Sequence, residues 1–344
     1  MLDSNRAAFR RRFLIMSLLL AVSCRLSAAD GGGIGLRIDN DVFVGTDRYY
    51  TNGFRLSWTS ADFPFRRIRR QPCGGIESLS MILAPLRGPD CRVFMTIEFG
   101  QNMYTPDDIT RTEVTPEDFP YAGMSFLEFG FHGRNPRRMD TLSLAIGVAG
   151  PYSLAEPVQK IVHKLTGSDF PEGWEYQIDN QVMVNMGYGT RRKLSLRSSD
   201  RPWGCDVIGK VSASLGNAFT GGDAGVEIRF GWNLPTDFGA SPGRFGGIGG
   251  VTAPVAMGRS HAGPGLFAFA AGGGRIALYN FLFNTESRIA PALSERHRQG
   301  LGSLGLGLTW GRFRLSLARI WSTRWFSAQR HRPSYGSFSL EFEF

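Results

Sequence analysis

Beyond its first thirty residues the chain has no apolar run approaching the roughly 20 residues of a membrane-crossing helix, which excludes insertion by helices. It has no Gly-x-Ser-x-Gly elbow and no serine convincingly paired with a histidine, which argues against a serine-dependent hydrolase. Cysteine is scarce, four in 344 residues, and the spacing matches no zinc pattern. Cys73 and Cys91 are near enough in sequence to close a disulfide in an oxidising periplasm, leaving Cys205 over. No internal repeat beyond a strand period is present, and no linker divides the chain into two domains. Acidic residues are in deficit: 39 Lys and Arg against 30 Asp and Glu give a net charge of +9, nearly all of it arginine. A solvated basic surface accounts for that charge. So does attraction to phosphate, with which arginine makes forked contacts; in an exported protein those phosphates belong to lipid, not nucleic acid.

Export is read from the N-terminus. Arg6, Arg10, Arg11 and Arg12 precede a short apolar run over residues 13–23, and Ser27, Ala28 and Ala29 follow as small residues. This pattern predicts a signal peptide over 1–29, cut near Ala29, and one mature domain over 30–344. Cys24 only loosely imitates a lipoprotein acceptor, because the key upstream leucine is missing.

What the mature chain does contain is alternation. Phe54, Leu56 and Trp58 alternate with Arg55, Ser57 and Thr59; Leu142, Leu144, Ile146 and Val148 alternate with Ser143, Ala145 and Gly147; Leu304, Leu306, Leu308 and Trp310 alternate with Gly305, Gly307 and Thr309. Successive side chains of a strand face opposite sides, so each segment has one apolar wall and one polar or small wall. The runs match the roughly 9–11 tilted residues that cross a bilayer. Trp58, Trp310, Trp321 and Trp325 fall near strand ends, where an interfacial girdle is expected, and the chain stops on an alternating strand ending in Phe344. The fold class is therefore an all-β transmembrane antiparallel barrel. Its twelve expected strands lie near 33–43, 51–60, 92–104, 121–133, 139–149, 176–188, 204–216, 222–232, 264–280, 296–310, 312–326 and 334–344. With both ends in the periplasm, connections after odd strands face outward.

Four polar segments gather on that outer side. The first holds Asn40, Asp41 and Thr51, oxygen donors of the kind a hard cation such as Ca²⁺ accepts; a solvated loop with Asx turns has the same composition. Strand parity turns Asn40 outward and Asp41 toward the lumen, so both serve one site only if a bulge or loop begins there. The second runs from Gln101 through Arg111 to Tyr121. The third is a short extracellular helix whose apolar stripe is Val158, Ile161, Val162 and Leu165 and whose polar stripe is Glu156, Gln159 and His163. Its apolar stripe would rest on the barrel wall or dip among lipid headgroups, with Asp169 beyond to orient or balance His163. The fourth runs from Gly173 and Trp174 to Asn180. Among five histidines only His163 stands beside this cluster, and most exposed histidines are ordinary surface residues.

These segments resemble the lipid A 3′-O-deacylase family of outer-membrane barrels. The resemblance rests on Asn40-Asp41, Thr46 to Gly53, Pro120-Tyr121-Ala122-Gly123, Gly150-Pro151 with Gln159 and His163, and Gly173-Trp174 with Gln177 and Asn180, in order and approximate spacing. It covers the mature chain to about residue 190; beyond that only the barrel pattern continues. It implies removal of an ester-linked acyl chain from lipopolysaccharide in the outer leaflet, with Ca²⁺ dependence. His163 would be the general base, Asn40, Asp41 and Thr51 would surround metal and substrate, with Asp41 and Thr51 as metal ligands, and Gln159 would support the site. Arg111, Tyr121 and Asp169 would face the substrate. The chain departs from the family at Phe119, often arginine, at Gln181, often glutamate, and in the second outer loop, where Arg111 stands for a lysine. A non-catalytic channel or structural barrel and an outer-membrane phospholipase are the competing readings; the oligomeric state is not legible.

Overall fold

The computed structural model of the protein describes residues 32–46, 48–64, 92–112, 117–197, 202–240, 263–284 and 293–344. The signal peptide and the Cys73–Cys91 pairing expected from the sequence, together with Asp47 and His261, fall outside the described residues. Twelve antiparallel strands follow the chain: β1 (Gly33–Asn40), β2 (Tyr49–Thr59), β3 (Arg92–Thr105), β4 (Ala122–Asn135), β5 (Arg138–Ala149), β6 (Gln181–Arg197), β7 (Trp203–Gly216), β8 (Phe219–Trp232), β9 (Gly265–Asn280), β10 (Arg298–Trp310), β11 (Phe313–Ser322) and β12 (Ser334–Glu343). Each pairs with its sequence neighbours, and β1 pairs with β12, so the sheet closes on itself and no edge remains. Phe63–Pro64 adds a two-residue pairing beside the start of β3.

The wall is inside-out relative to a soluble protein. Ile97 and Phe99, Leu127 and Phe129, Ile228 and Phe230, and Leu304 and Leu306 are exposed outward, whereas Arg55, Asp206, Glu227, Arg229 and Arg314 are buried inward. In water such a surface would aggregate; against acyl chains it is the stable arrangement. Trp203 and Trp232 pack edge to face at 5.6 Å at the inner strand ends, beside Trp310 and Phe313, as an interfacial girdle. Trp325 is a correction: it was expected in the outer girdle but is buried at the barrel mouth, because the chain leaves β11 at Ser322 and folds inward.

Both ends of the lumen are filled. At the outer mouth, Phe119 from the connection after β3 meets Phe283 from that after β9, at 5.5 Å, and Trp325 and Phe326 from that after β11, at 6.1 and 5.8 Å. Near the inner mouth, the chain leaving β8 turns back into the lumen. There Asp237 pairs with Arg229 of β8 and Arg314 of β11, and Lys193 of β6 donates to the Thr236 and Asp237 carbonyls. Asp206 completes the network with a 2.7 Å bond to Arg229. A barrel of this size has room for side chains and little else.

Candidate active site

The outer ends of β3 and β4 carry a roof on their lipid side. Ile97 and Phe99 of β3 face outward, so alternation puts Gln101, Met103 and Thr105 on the same outward face. Yet these three are buried, because the chain after β5 folds back over them. Gly150, at φ 78°, and Leu154, at φ 57°, bracket a 3-10 turn over Pro151–Ser153 that reverses the chain onto the wall. The helix α1 (Ala155–Thr166) then begins directly above Gly123 of β4. A Cβ on Gly123 would lie 2.2 Å from Ser153 Oγ and 2.3 Å from the Ala155 Cβ, so only glycine lets the helix seat this closely. Gln101 Nε2 and Ser125 Oγ each donate to the Ser153 carbonyl at 2.7 Å, tying the helix start to both strands.

The helix sits on the wall with two of its predicted polar stripe, Gln159 and His163, inward, while Glu156 is half-exposed and pairs with Lys160 at 2.7 Å. Ala155, Gln159 and His163, one turn apart, are buried; Gln159 and His163 are 2 % and 5 % exposed. Its apolar stripe looks away from the barrel, Ile161 at 55 % and Leu165 at 81 % exposed. An apolar face turned to water is unfavourable, whereas turned to lipid it is an extension of the barrel's own apolar belt. His163 Nδ1 lies 2.6 Å from the Asp169 carbonyl oxygen. A carbonyl only accepts, so Nδ1 carries the proton and Nε2 is the acceptor nitrogen of the neutral ring. Asp169 thus orients His163 through its backbone, and its carboxylate is exposed.

Trp174 anchors the other side of the helix. Its indole N–H donates to Gln159 Oε1 at 2.7 Å, and its ring packs on Tyr121 at 4.9 Å. Gln159 is thereby oriented, and its Nε2, buried, has no hydrogen-bond partner among the described residues. Tyr121 is buried, with its hydroxyl donating to the Ile109 carbonyl at 2.8 Å, so it braces the loop after β3. The sequence places Gln101 and Trp174 in the polar segments without a role for either; nothing in one sequence says which amide a distant indole will hold.

The strand group reaches the same outward face by a bulge. The β2–β3 register slips between Tyr50 and Asn52. Tyr50 turns inward, its hydroxyl donating to Asp39 Oδ2 at 3.0 Å, while the Thr51 hydroxyl meets that of Thr105 at 2.6 Å in a buried pair. Asn40, in register with Asn52, follows the outward parity of β1. Asp41 leaves the strand in a 3-10 turn over Val42–Val44; it is fully buried, and its Oδ2 accepts the Arg48 amide at 2.5 Å. The sequence inconsistency over parity is therefore met by both devices, a bulge and a turn. Arg48 also pairs with Asp107 at 2.9 Å, and Asp107 donates its amide to Asp118. Burial raises the Asp118 carboxyl above its usual range. Arg111 is exposed at the loop surface, 3.2 Å from Asp108, with its carbonyl against Gly173.

The structure places Asn40 and Thr51 on the outward faces of β1 and β2, with Asp41 buried at the turn between them, and Gln159 and His163 beneath the helix over β3 and β4. Among the described residues no three His, Cys, Asp or Glu side chains converge as a metal site. The donors these residues offer are instead amide, hydroxyl and carboxylate oxygens, the set that suits calcium and not zinc.

Three comparisons bear on the chain. A family model described as outer membrane protein LpxR matches residues 13–344. Among solved structures, LpxR from Salmonella typhimurium superposes with a TM-score of 0.71 at 16 % identity, covering 91 % of this chain and 100 % of that one. The β domain of the Bordetella autotransporter BrkA gives 0.43 at 8 % identity, covering 92 % and 100 %. None of the curated proteins compared with the chain matches it.

Proposed function

The chain belongs to the outer membrane protein LpxR family, and from that membership we propose that it is a hydrolase removing an ester-linked acyl chain from lipid A in the outer leaflet. One observation carries the reading: Gln159 and His163 are buried between helix and barrel wall while the apolar side of the same helix faces the membrane. A histidine of fixed tautomer held at the acyl level of a lipid leaflet suits attack on a lipid ester better than any task in the lumen. The filled lumen also argues against a channel.

In this reading His163 Nε2 takes a proton from a water molecule, whose oxygen bonds to the ester carbonyl carbon. The ester C–O bond then breaks, and the imidazolium returns the proton to the departing alkoxide. The Asp169 carbonyl keeps Nδ1–H in place and steadies the transient imidazolium. Trp174 holds Gln159 so that its Nε2 donates toward the reacting group. Asp41 and Thr51 would hold Ca²⁺, with Asn40 beside them; the ion supplies oxyanion stabilisation when bound. Exposed Ile161 and Leu165 let substrate approach from within the leaflet.

The test is mass spectrometry of lipid A from cells expressing the wild type or His163→Ala, with and without a calcium chelator. Loss of one acyl unit that drops by about 10²–10⁴-fold in the variant, and that also needs the metal, is the expected result. Unchanged lipid A from a correctly inserted wild-type barrel refutes it for this substrate and directs the test to glycerophospholipids.

A further inference from the structure

On the outer rim, separated from the helix-covered wall by β12, β1 and β2, a cleft of about 580 Å³ is lined by Arg296, Arg298, Arg324, Arg332 and Thr323. All four guanidinium side chains are exposed, and among the described residues no carboxylate lies within ion-pair distance of any of them. Glu295, their sequence neighbour, is instead engaged by Asn280 at 3.3 Å. Four like charges around one hollow repel one another unless an anion joins them.

The surroundings say what kind of anion. Even-numbered residues of β10 and odd-numbered residues of β11 face outward, so Arg298 and Thr323 top the lipid-facing wall rather than the lumen. Arg298 is in register with exposed Ile276 of β9. Immediately below lies Trp321, its indole over Gly302 where a Cβ would come within 2.5 Å of the ring nitrogen. An indole at that height marks a membrane interface. Lower on the same wall Arg319 is exposed in register with Leu304, and Leu306 and Leu317 continue as bare apolar surface. An arginine on a lipid-facing wall is costly unless its guanidinium snorkels up to the headgroup level, and the cleft stands directly above it.

We propose that this cleft binds the phosphorylated headgroup of an outer-leaflet lipid whose acyl chains lie along β10 and β11. The guanidinium groups take the phosphate oxygens in forked hydrogen bonds, Trp321 marks the boundary between head and chains, and Leu304, Leu306 and Leu317 receive the chains. The site has no catalytic group and does not depend on the proposed hydrolysis. It holds a lipid at the barrel's side.

The test is native mass spectrometry of the full-length barrel in detergent with three probes: bisphosphorylated lipid A, the same lipid after dephosphorylation, and inorganic phosphate. Calcium chelator in every arm removes turnover. Wild type retains the bisphosphorylated lipid, while the variant with all four arginines replaced by Gln loses on the order of a hundredfold in retention. Heat-modifiable gel mobility verifies that the variant is folded. Should it fail to fold, Arg296→Gln with Arg298→Gln, and Arg324→Gln with Arg332→Gln, are each expected to lose about tenfold. Equal retention of dephosphorylated lipid, or unchanged retention by the folded variants, overturns the site. Displacement of the lipid by an equal concentration of inorganic phosphate overturns its assignment to a lipid headgroup.

Discussion

The outer mouth of the barrel is closed by rings and the inner mouth by charges. Phe119, Phe283, Trp325 and Phe326 meet from three separate connections without a single directional bond among their side chains. Asp237, by contrast, is held by Arg229 and Arg314, with Asp206 behind them. Aromatic packing is proportional to area and tolerates adjustment, whereas a buried ionic network is satisfied only as a whole. The difference places the adaptable closure beside the candidate active site and the stiff one at the far end. With both ends of the lumen filled, the lipid-side wall is the surface left for the proposed chemistry.

The comparison breaks most easily at the inner end. Asp237→Ala leaves Arg229 and Arg314 buried around a missing carboxylate, and the expected loss of stability is about 3–5 kcal/mol. The unfolding midpoint followed by heat-modifiable gel mobility reads this directly; a loss below about 1 kcal/mol would mean that water already screens the network. Next in size is Gly123→Ala at the outer end. Its Cβ would press into Ser153 and Ala155, so the helix start must shift, at an expected cost of about 1–3 kcal/mol. Because the strain falls on the helix seat, lipid A turnover should drop while the barrel still inserts. Wild-type turnover in Gly123→Ala would show that the site does not need this seating.

Strands were legible because each has one lipid side and one lumen side: all twelve expected segments correspond to strands, with ends differing by a few residues except in the sixth, expected over 176–188 and observed over Gln181–Arg197. The code fades where a second layer covers the wall. From Gly100 to Thr105 every residue is buried, so alternation, which still marks β3 as a strand, no longer reports which face is covered. The helix was legible by its period, but not which stripe meets the barrel; that is decided by Gly123, Gln101 and Ser125, residues on other elements. Trp325 was read as girdle since aromatic composition cannot tell an interface from a plug. The Asp237 arm left no signal at all. Its partners lie on β6, β8 and β11, and only the closed barrel brings those strands around one carboxylate.

The smallest effect is the one that sharpens the contrast. Phe119 lies among Tyr104, Phe283, Trp325 and Phe326. If the outer closure is generic apolar packing, Phe119→Leu should cost less than about 1.5 kcal/mol, because a branched aliphatic side chain can fill most of the same volume. Turnover of lipid A should be nearly unchanged, since Phe119 touches the mouth of the lumen and not the face beneath the helix. A loss comparable to that of Asp237→Ala, measured by the same gel mobility, would mean that ring geometry is as exacting as the ion network. The two closures would then differ in chemistry but not in tolerance, and the loops around the site would be rigid for the same reason the inner arm is.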